Sequence, residues 1–226
     1  MENVMIGISH VDRIFSIPGG EFQALKDINA EIPAGTLTIL KGRSGSGKTT
    51  LMNIVGALDG PSAGAVYVAG QDIWKMSDRQ RENLRRKEMG FVFQAVSLLP
   101  AMNAQQNVEF AMRMAGIKSA KEREKRAQEC LKLVGLGNRM HHMPAEMSGG
   151  EQQRTAIAKA IAHRPKLILA DEPTAELDSN MAAQVVKIFK ELTEKEGITI
   201  LMTTHDVGLM DAGDQVIELE NGVRVM

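Results

Sequence analysis

The sequence has little of what would tie the chain to an oxidising compartment or embed it in a bilayer. It contains one cysteine, Cys130, so a disulfide within the chain is excluded and a reducing cytoplasm is expected. No apolar run approaches the roughly 18 residues needed to span a membrane. The first residues, "MENVMIGISHVDRIF", lack the basic start and long apolar stretch of a secretion signal. Work at a membrane would therefore require a partner that holds the chain there.

An excess of charge of either sign is also absent. The 27 Lys and Arg residues balance 28 Asp and Glu residues, which leaves a net charge of −1 and no overall attraction to nucleic acid. In the densest charged run, "SAKEREKRAQ", Glu122 lies four residues before Arg126, a spacing that favours an ion pair on a helix. We interpret this run as a solvated helix face.

The order of the hydrophobic patterns predicts an α/β fold with a mostly parallel sheet, because short apolar or β-branched runs alternate with helical stretches. Two further strands are expected on either side of the Pro/Gly turn at 18–20. From about residue 95 to residue 160 the strand signal is weak and helical patterns dominate. We therefore expect one domain over 1–226, with a core formed by 1–94 and 161–226 and an all-helical insertion at 95–160.

The stretch "GRSGSGKT" (42–49) satisfies G-x-x-x-x-G-K-[ST] and lies between a predicted strand and a predicted helix. Its glycines let successive N–H groups turn inward around phosphate oxygens. Lys48 supplies a compact positive charge for the β- and γ-phosphates, and the hydroxyl of Thr49 is a hard ligand for Mg²⁺. The residues assigned to nucleotide binding here are Gly42, Arg43, Ser44, Gly45, Ser46, Gly47, Lys48, Thr49 and Thr50.

Two acidic residues end the apolar strand in "LILADEPT" (167–174). At the carboxyl end of a parallel strand they would face the ligand crevice. We expect Asp171 to hold Mg²⁺ through a water, and Glu172 to orient or deprotonate the water that attacks the γ-phosphate. The alternative is that both acids cap a helix starting near Pro173, and the P-loop favours the catalytic interpretation.

The octapeptide "MSGGEQQR" (147–154) has two interpretations that its residues alone leave open. Ser148 and Glu151 match the S-x-x-E capping box, in which each side chain satisfies a backbone N–H of the other residue. The two glycines at a helix start also suit an anion, because the backbone is accessible and the helix dipole is positive there.

Taken in order, the P-loop, Gln94 after a strand, "MSGGEQQR", "LILADEPT", "AELD" (175–178) and His205 after a strand resemble the ATP-binding cassette (ABC) ATPases. The resemblance covers essentially the whole chain. It implies that Ser148, Gly149 and Gly150, with Glu151 in the same loop, grip the γ-phosphate of an ATP bound by the P-loop of a second copy. A single chain would then be a poor ATPase, because its own signature loop could not close its own site.

The resemblance also implies roles for single residues. Gln94 would bind Mg²⁺ and water, against the alternative of a surface amide, and His205 would contact the γ-phosphate, against that of a core histidine. Asp178 would lie at the dimer seam. Phe15, where the family usually has tyrosine, would stack on adenine, unless it only packs in the core. The catalytic set is Glu172, His205, Gln94 and Lys48, and the Mg²⁺ ligands are Thr49, Gln94 and Asp171.

Four positions depart from the family pattern. Met147 replaces the usual leucine, Glu151 stands where many members have glutamine, and "AELD" replaces "GNLD", a change beside Asp178 at the expected dimer seam. The segments "LMNIVGALDGPSAGAVYVAGQDI" and "SGGEQQRTAIAKAIAHRPKLILADEPT" are most similar to the macrolide-export and lipoprotein-release branch. The transported substrate is not specified by this sequence, because missing membrane subunits would bind it.

The implied partners are a second copy in the ATP-bound state and a separately encoded membrane permease, in some systems with a periplasmic or extracellular adaptor. The chain would lie on the inner face of the cell membrane, and no nucleic-acid partner is expected.

A DNA-repair or ribosomal ABC ATPase is disfavoured because long coiled-coil insertions and a second cassette are absent. A non-hydrolysing regulator is disfavoured because Glu172, Gln94 and His205 are all present. Leu98, Leu99 and Met102 are either core residues or part of a groove for a permease helix.

Overall fold

The computed structural model describes residues 3–175, 177–205 and 207–225. Its strands are β1 (Val4–Ile17), β2 (Gly20–Pro33), β3 (Leu37–Lys41), β4 (Ala63–Val68), β5 (Gln71–Asp72), β6 (Met89–Val92), β7 (Leu167–Ala170), β8 (Thr199–Thr203), β9 (Gln215–Glu220) and β10 (Val223–Arg224). Its α-helices are α1 (Lys48–Val55), α2 (Asp78–Glu88), α3 (Ala104–Met114), α4 (Ala120–Leu133), α5 (Gly149–Ile161) and α6 (Ser179–Glu196), and two 3₁₀ helices cover Pro144–Glu146 and Val207–Ala212.

The strands form two sheets. The larger has the order β10-β9-β3-β8-β7-β6 and is parallel except for the β9–β10 pair. The smaller has the order β2-β1-β4-β5 and is antiparallel throughout. This is the predicted α/β architecture of a mostly parallel sheet with added antiparallel strands.

Both faces of the parallel sheet are buried, as expected for this type of sheet. Along β7, Leu167 and Leu169 pack into the core shared with α1 and the antiparallel sheet. The alternate residues, Ile168 and Ala170, pack into the core formed with α3, α4, α5 and α6. A four-residue strand with no polar position therefore fits the centre of the molecule, and it delivers the acids that follow it to one edge of the sheet.

The region predicted as an all-helical insertion contains α3, α4 and α5, and in the described residues no strand lies between β6 and β7. A buried asparagine, Asn107, ties the loop before α3 to the helix. Its side chain accepts a hydrogen bond from the Leu99 N–H at 2.7 Å and donates to the Leu99 and Met102 carbonyls at 3.1 and 2.8 Å. The division of the chain at 94/95 and 160/161 remains an interpretation.

The predicted Glu122–Arg126 pair is not the contact that the described residues form. Arg126 instead lies 3.7 Å from both Glu129 and Glu196 and donates to the carbonyl of Ala162.

The neighbouring cysteine, Cys130, is fully buried, and burial raises the pKa of its thiol to about 11. Within the described part of the chain, none of the helices is long and apolar enough to cross a bilayer.

Candidate nucleotide site

The P-loop joins β3 to α1 at the carboxyl edge of the parallel sheet. Gly45 and Gly47 adopt left-handed backbone conformations, with φ of 77° and 103°, which glycine accepts without steric cost. Gly42 has no room for a side chain, since an added Cβ would lie 2.4 Å from the carbonyl oxygen of Leu219. The loop therefore requires these glycines for its shape, as the sequence predicts.

Lys48 is buried at the start of α1, and its ammonium group lies against the loop itself. It donates to the carbonyl oxygens of Gly42 at 2.7 Å and of Arg43 at 3.0 Å. An ammonium group has three N–H donors. These two bonds fix the position of the charge at the loop and leave a third donor for a ligand oxygen.

The side chains predicted to hold Mg²⁺ and to act on water form a short chain of contacts. The Thr49 hydroxyl donates to one carboxylate oxygen of Asp171 at 2.9 Å. The carboxylate of the next residue, Glu172, lies 3.4 Å from Nδ1 of His205, and the His205 side chain is largely exposed. A residue of α1 and the residues that follow β7 and β8 thus meet at one edge of the sheet, because β7 and β8 are adjacent and parallel.

A pocket of about 450 Å³ opens beside this cluster, within the 300–1,000 Å³ typical of small-molecule sites. It is lined by Phe22, Ala24, Ser44, Gly45, Gly47, Lys48, Thr49, Thr50, Gln94, Glu172 and His205. Nine of these residues are among those that the sequence assigns to the site. Gly42, Arg43 and Ser46 line an adjoining cavity on the β9–β10 side of the loop.

Phe15 is not among the residues that line this pocket. Its ring is covered on one face by the Arg13 guanidinium, 4.3 Å from the ring centroid, and that guanidinium also donates to Asp59. Phe22, which pairs with Phe15 across the β1–β2 hairpin, is 52% exposed and lines the pocket. Sequence reasoning missed Phe22, although residues paired across a hairpin lie at equal distances from its turn.

The signature loop forms the predicted helix cap. Ser148 precedes α5, its hydroxyl accepts from the Glu151 N–H at 3.3 Å, and Glu151 accepts from the Ser148 N–H at 2.9 Å. That backbone hydrogen bond lowers the pKa of Glu151, and the Arg139 guanidinium lies 3.3 Å from its other oxygen. In the described residues this loop contributes nothing to the lining of the pocket in the same chain.

Asp178 is an exposed helix cap in this structure. It accepts from the backbone N–H groups of Asn180 and Met181 at the start of α6 and does not line the pocket. Glu176, in the same "AELD" segment, lies outside the described residues.

The residues present fit a magnesium ion. No group of three or more His, Cys, Asp or Glu side chains in the described ranges could hold a metal alone. Mg²⁺ in nucleotide sites is bound by one or two protein side chains together with substrate phosphates. The adjacent oxygens of Thr49 and Asp171 provide such a set, and Gln94 lines the same pocket.

A P-loop between a parallel strand and a helix, with a carboxylate pair at the end of another parallel strand of the same sheet, β7, defines a P-loop nucleoside triphosphatase. A family model described as ABC transporter matches residues 25–175. The chain belongs to this family and is one of its ATP-binding ATPase cassettes. A second model, described as AAA domain, putative AbiEii toxin, Type IV TA system, matches only residues 143–211.

Relatives are similar along nearly the whole chain. The lipoprotein-releasing system ATP-binding protein LolD 2 of Caulobacter vibrioides is 39% identical over 98% of this chain and 97% of its own length. The macrolide export ATP-binding/permease protein MacB of Wolinella succinogenes is 41% identical over 98% of this chain, which spans 34% of that longer protein. These relatives match the branch suggested by the sequence.

A solved cassette from Methanocaldococcus jannaschii, MJ0796, has a similar fold. Its dimeric post-hydrolysis structure bound to ADP and Pi superposes with a TM-score of 0.93 at 38% identity, covering 98% of this chain and 97% of that one.

Proposed function

We propose that the chain hydrolyses MgATP between two copies of itself and thereby drives a separately encoded membrane permease of the export or lipoprotein-release type. One observation carries the proposal. Thr49 is hydrogen-bonded to Asp171, and the next residue, Glu172, lies beside His205. Thr49, Glu172 and His205 all line a pocket of nucleotide size. The similarity to LolD 2, MacB and dimeric MJ0796 supports the partners. The chain would then be a peripheral protein on the inner face of the membrane.

In this mechanism the P-loop N–H groups and Lys48 bind the phosphates. Glu172 orients the attacking water and accepts its proton, and His205, within reach of Glu172, contacts the γ-phosphate. Thr49, Gln94 and Asp171 would hold Mg²⁺, which neutralises phosphate charge when bound. Ser148, Gly149 and Gly150 of the second copy complete the site, and Asp178 and Glu151 lie near the seam. Phe15 or its partner Phe22 supplies the surface for the base.

The Lys48→Ala variant tests nucleotide binding directly. Removal of the ammonium leaves phosphate charge uncompensated at the loop, so we expect ATP affinity and turnover both to collapse. An equilibrium titration with a fluorescent ATP analogue measures the affinity. The control is Lys41→Ala, since Lys41 ends β3 close by but pairs with Glu218 at 3.2 Å. Unchanged affinity in the Lys48→Ala variant would contradict the site.

For the permease we propose a docking groove between the core and the helical region. The groove is lined by Arg86, Met89, Gly90, Phe91, Phe93, Ser97, Phe110, Ala111, Met114, Ala156, Lys159, Ala160 and His163. Leu98, Leu99 and Met102 are not among these residues, although the sequence suggested them. The groove has a volume of about 230 Å³, below the 300–1,000 Å³ typical of small-molecule sites, so it suits a few side chains of a partner and not a whole helix.

The residues that line the groove suit one kind of permease segment, an amphipathic helix that has apolar anchor residues and an acidic residue at the edge of its apolar face. Phe91 and Phe93 stack with centroids 5.7 Å apart, and Phe93 and Met114 remain 42% and 52% exposed. The charged and titratable residues in this described lining are all basic. Burial lowers the pKa of Lys159, whose ammonium donates to the Ser97 carbonyl at 2.8 Å, and a carboxylate from the partner would offset its desolvation.

The Phe93→Ser variant should lose membrane binding while it keeps its fold and its affinity for ATP, because Phe93 is an exposed anchor outside the nucleotide pocket. The measurement is co-sedimentation with vesicles that contain the permease and have been washed free of this chain. Leu133→Ser is the matched control, since Leu133 is 40% exposed at the end of α4 and outside the groove. Equal sedimentation of both variants would exclude the groove as the docking site.

A further inference from the structure

Thr203 ends β8 and is fully buried, and its hydroxyl contacts both Asp171, the predicted Mg²⁺ ligand, and Glu172, the predicted catalytic acid. It donates to a carboxylate oxygen of Asp171 at 2.6 Å and accepts from the backbone N–H of Glu172 at 2.8 Å. A hydroxyl has one donor and two acceptor sites, so both bonds form at the same time. The other Asp171 oxygen is bonded to Thr49 at 2.9 Å, so the carboxylate is held from two sides.

The bond to Glu172 matters because of the backbone at that residue. Glu172 has a φ of 47°, in the left-handed region that residues other than glycine rarely adopt. Such conformations persist where the surroundings enforce them, and they cluster at active sites. Here the conformation lets Asp171 point to Thr49 while the next side chain reaches the pocket and His205.

We propose that Thr203 is a positioning residue for ATP hydrolysis: its hydroxyl orients the Asp171 carboxylate toward Thr49 and holds Glu172 in the backbone conformation that aims its carboxylate at the attacking water. This inference rests on the proposed roles of Asp171 and Glu172. Thr203 does not line the nucleotide pocket, so it makes no direct contact with the nucleotide there, and we expect its main effect on turnover.

The test is steady-state ATPase kinetics on the purified full chain with Thr203→Val, which removes the hydroxyl at nearly constant volume. A displacement of about 1 Å in a catalytic group can cost about 10²-fold in rate, so we expect kcat to fall about 10- to 100-fold with KM within about twofold. Thr203→Ser keeps the hydroxyl and should restore most of the turnover. A Thr203→Val enzyme with unchanged kcat overturns the proposal.

Thr199→Val is a matched control on the same strand. Thr199 is also fully buried, and its hydroxyl accepts from the Gly35 N–H at 2.9 Å, away from the acids. An equal fall in kcat for both Val variants would mean that the hydroxyls act through the fold, and would overturn the proposal. If Thr203→Val does not fold, the comparison of Thr203→Ser with Thr203→Ala decides, and equal activities exclude positioning. Near-normal hydrolysis by Glu172→Gln would instead overturn the proposed function, which keeps the two failures distinct.

Discussion

The Glu172→Gln variant should form a dimer that depends on ATP, whereas the wild-type chain should run as a monomer with MgATP. In the proposed closed pair, two γ-phosphates and the acids Asp171, Glu172 and Asp178 of each copy would meet at one seam. Glutamine keeps the shape of Glu172 but removes one negative charge per copy and cannot accept a proton. Closure therefore becomes easier while water activation is lost, a loss typically worth about 10² to 10⁴ in rate.

Size-exclusion chromatography with ATP, with ADP and without nucleotide measures this effect. ADP should not support the dimer, because it has no γ-phosphate for Ser148 and Gly150 to bind. If the variant stays monomeric at saturating ATP, either the permease is required for closure or Glu172 is not the catalytic carboxylate. Turnover measured with the permease present separates these explanations, since near-normal hydrolysis leaves only the second.

The Gly149→Asp variant should abolish ATP turnover while ATP binding to the monomer remains within about twofold of wild type. A Cβ added at Gly149 meets no atom within 4 Å, so the substitution fits the monomer. An acid in the first turn also suits the helix dipole. The new carboxylate would, however, occupy the position proposed for the γ-phosphate of the second copy, where lost stabilisation costs about 10²- to 10³-fold in rate.

Mixing two inactive variants tests whether the site is shared. A dimer of one Lys48→Ala copy and one Gly149→Asp copy has one site with both defects and one site with neither. Equimolar mixing should therefore restore about a quarter of wild-type turnover, because half of the dimers are mixed and each has one intact site of two. A Gly149→Asp chain that binds no ATP as a monomer, or that keeps its turnover, would contradict the shared site.

Local signals predicted most of the secondary structure. The two strands expected on either side of the turn at 18–20 are β1 and β2, and the P-loop lies between β3 and α1, as predicted. The capping box at Ser148 also forms as predicted. Such features depend on residues that lie close together in the chain, so their patterns are visible in the sequence.

Features that depend on strand order or on distant segments were not predicted. The role inferred for Thr203 requires β7 and β8 to be neighbours, and Arg126 pairs with Glu196, 70 positions along the chain. The apolar groove combines residues of β6, α3 and α5, whereas the sequence offered a groove in the loop between β6 and α3 as one of two alternatives for that loop. The roles of the signature residues are proposals, because the proposed shared site needs a second copy of the chain.

The exposed ring of Phe22 has a consequence for nucleotide choice. Phe22 and its neighbour Ala24 line the pocket beside Gly47, and neither side chain carries a hydrogen-bonding group. Strong discrimination between similar ligands requires buried polar groups that the wrong ligand leaves unpaired. A flat aromatic surface accepts any purine that can stack on it. We therefore expect the cassette to use guanosine as well as adenosine triphosphate, so that in the proposed transporter the energy supply would follow the total purine triphosphate pool of the cell.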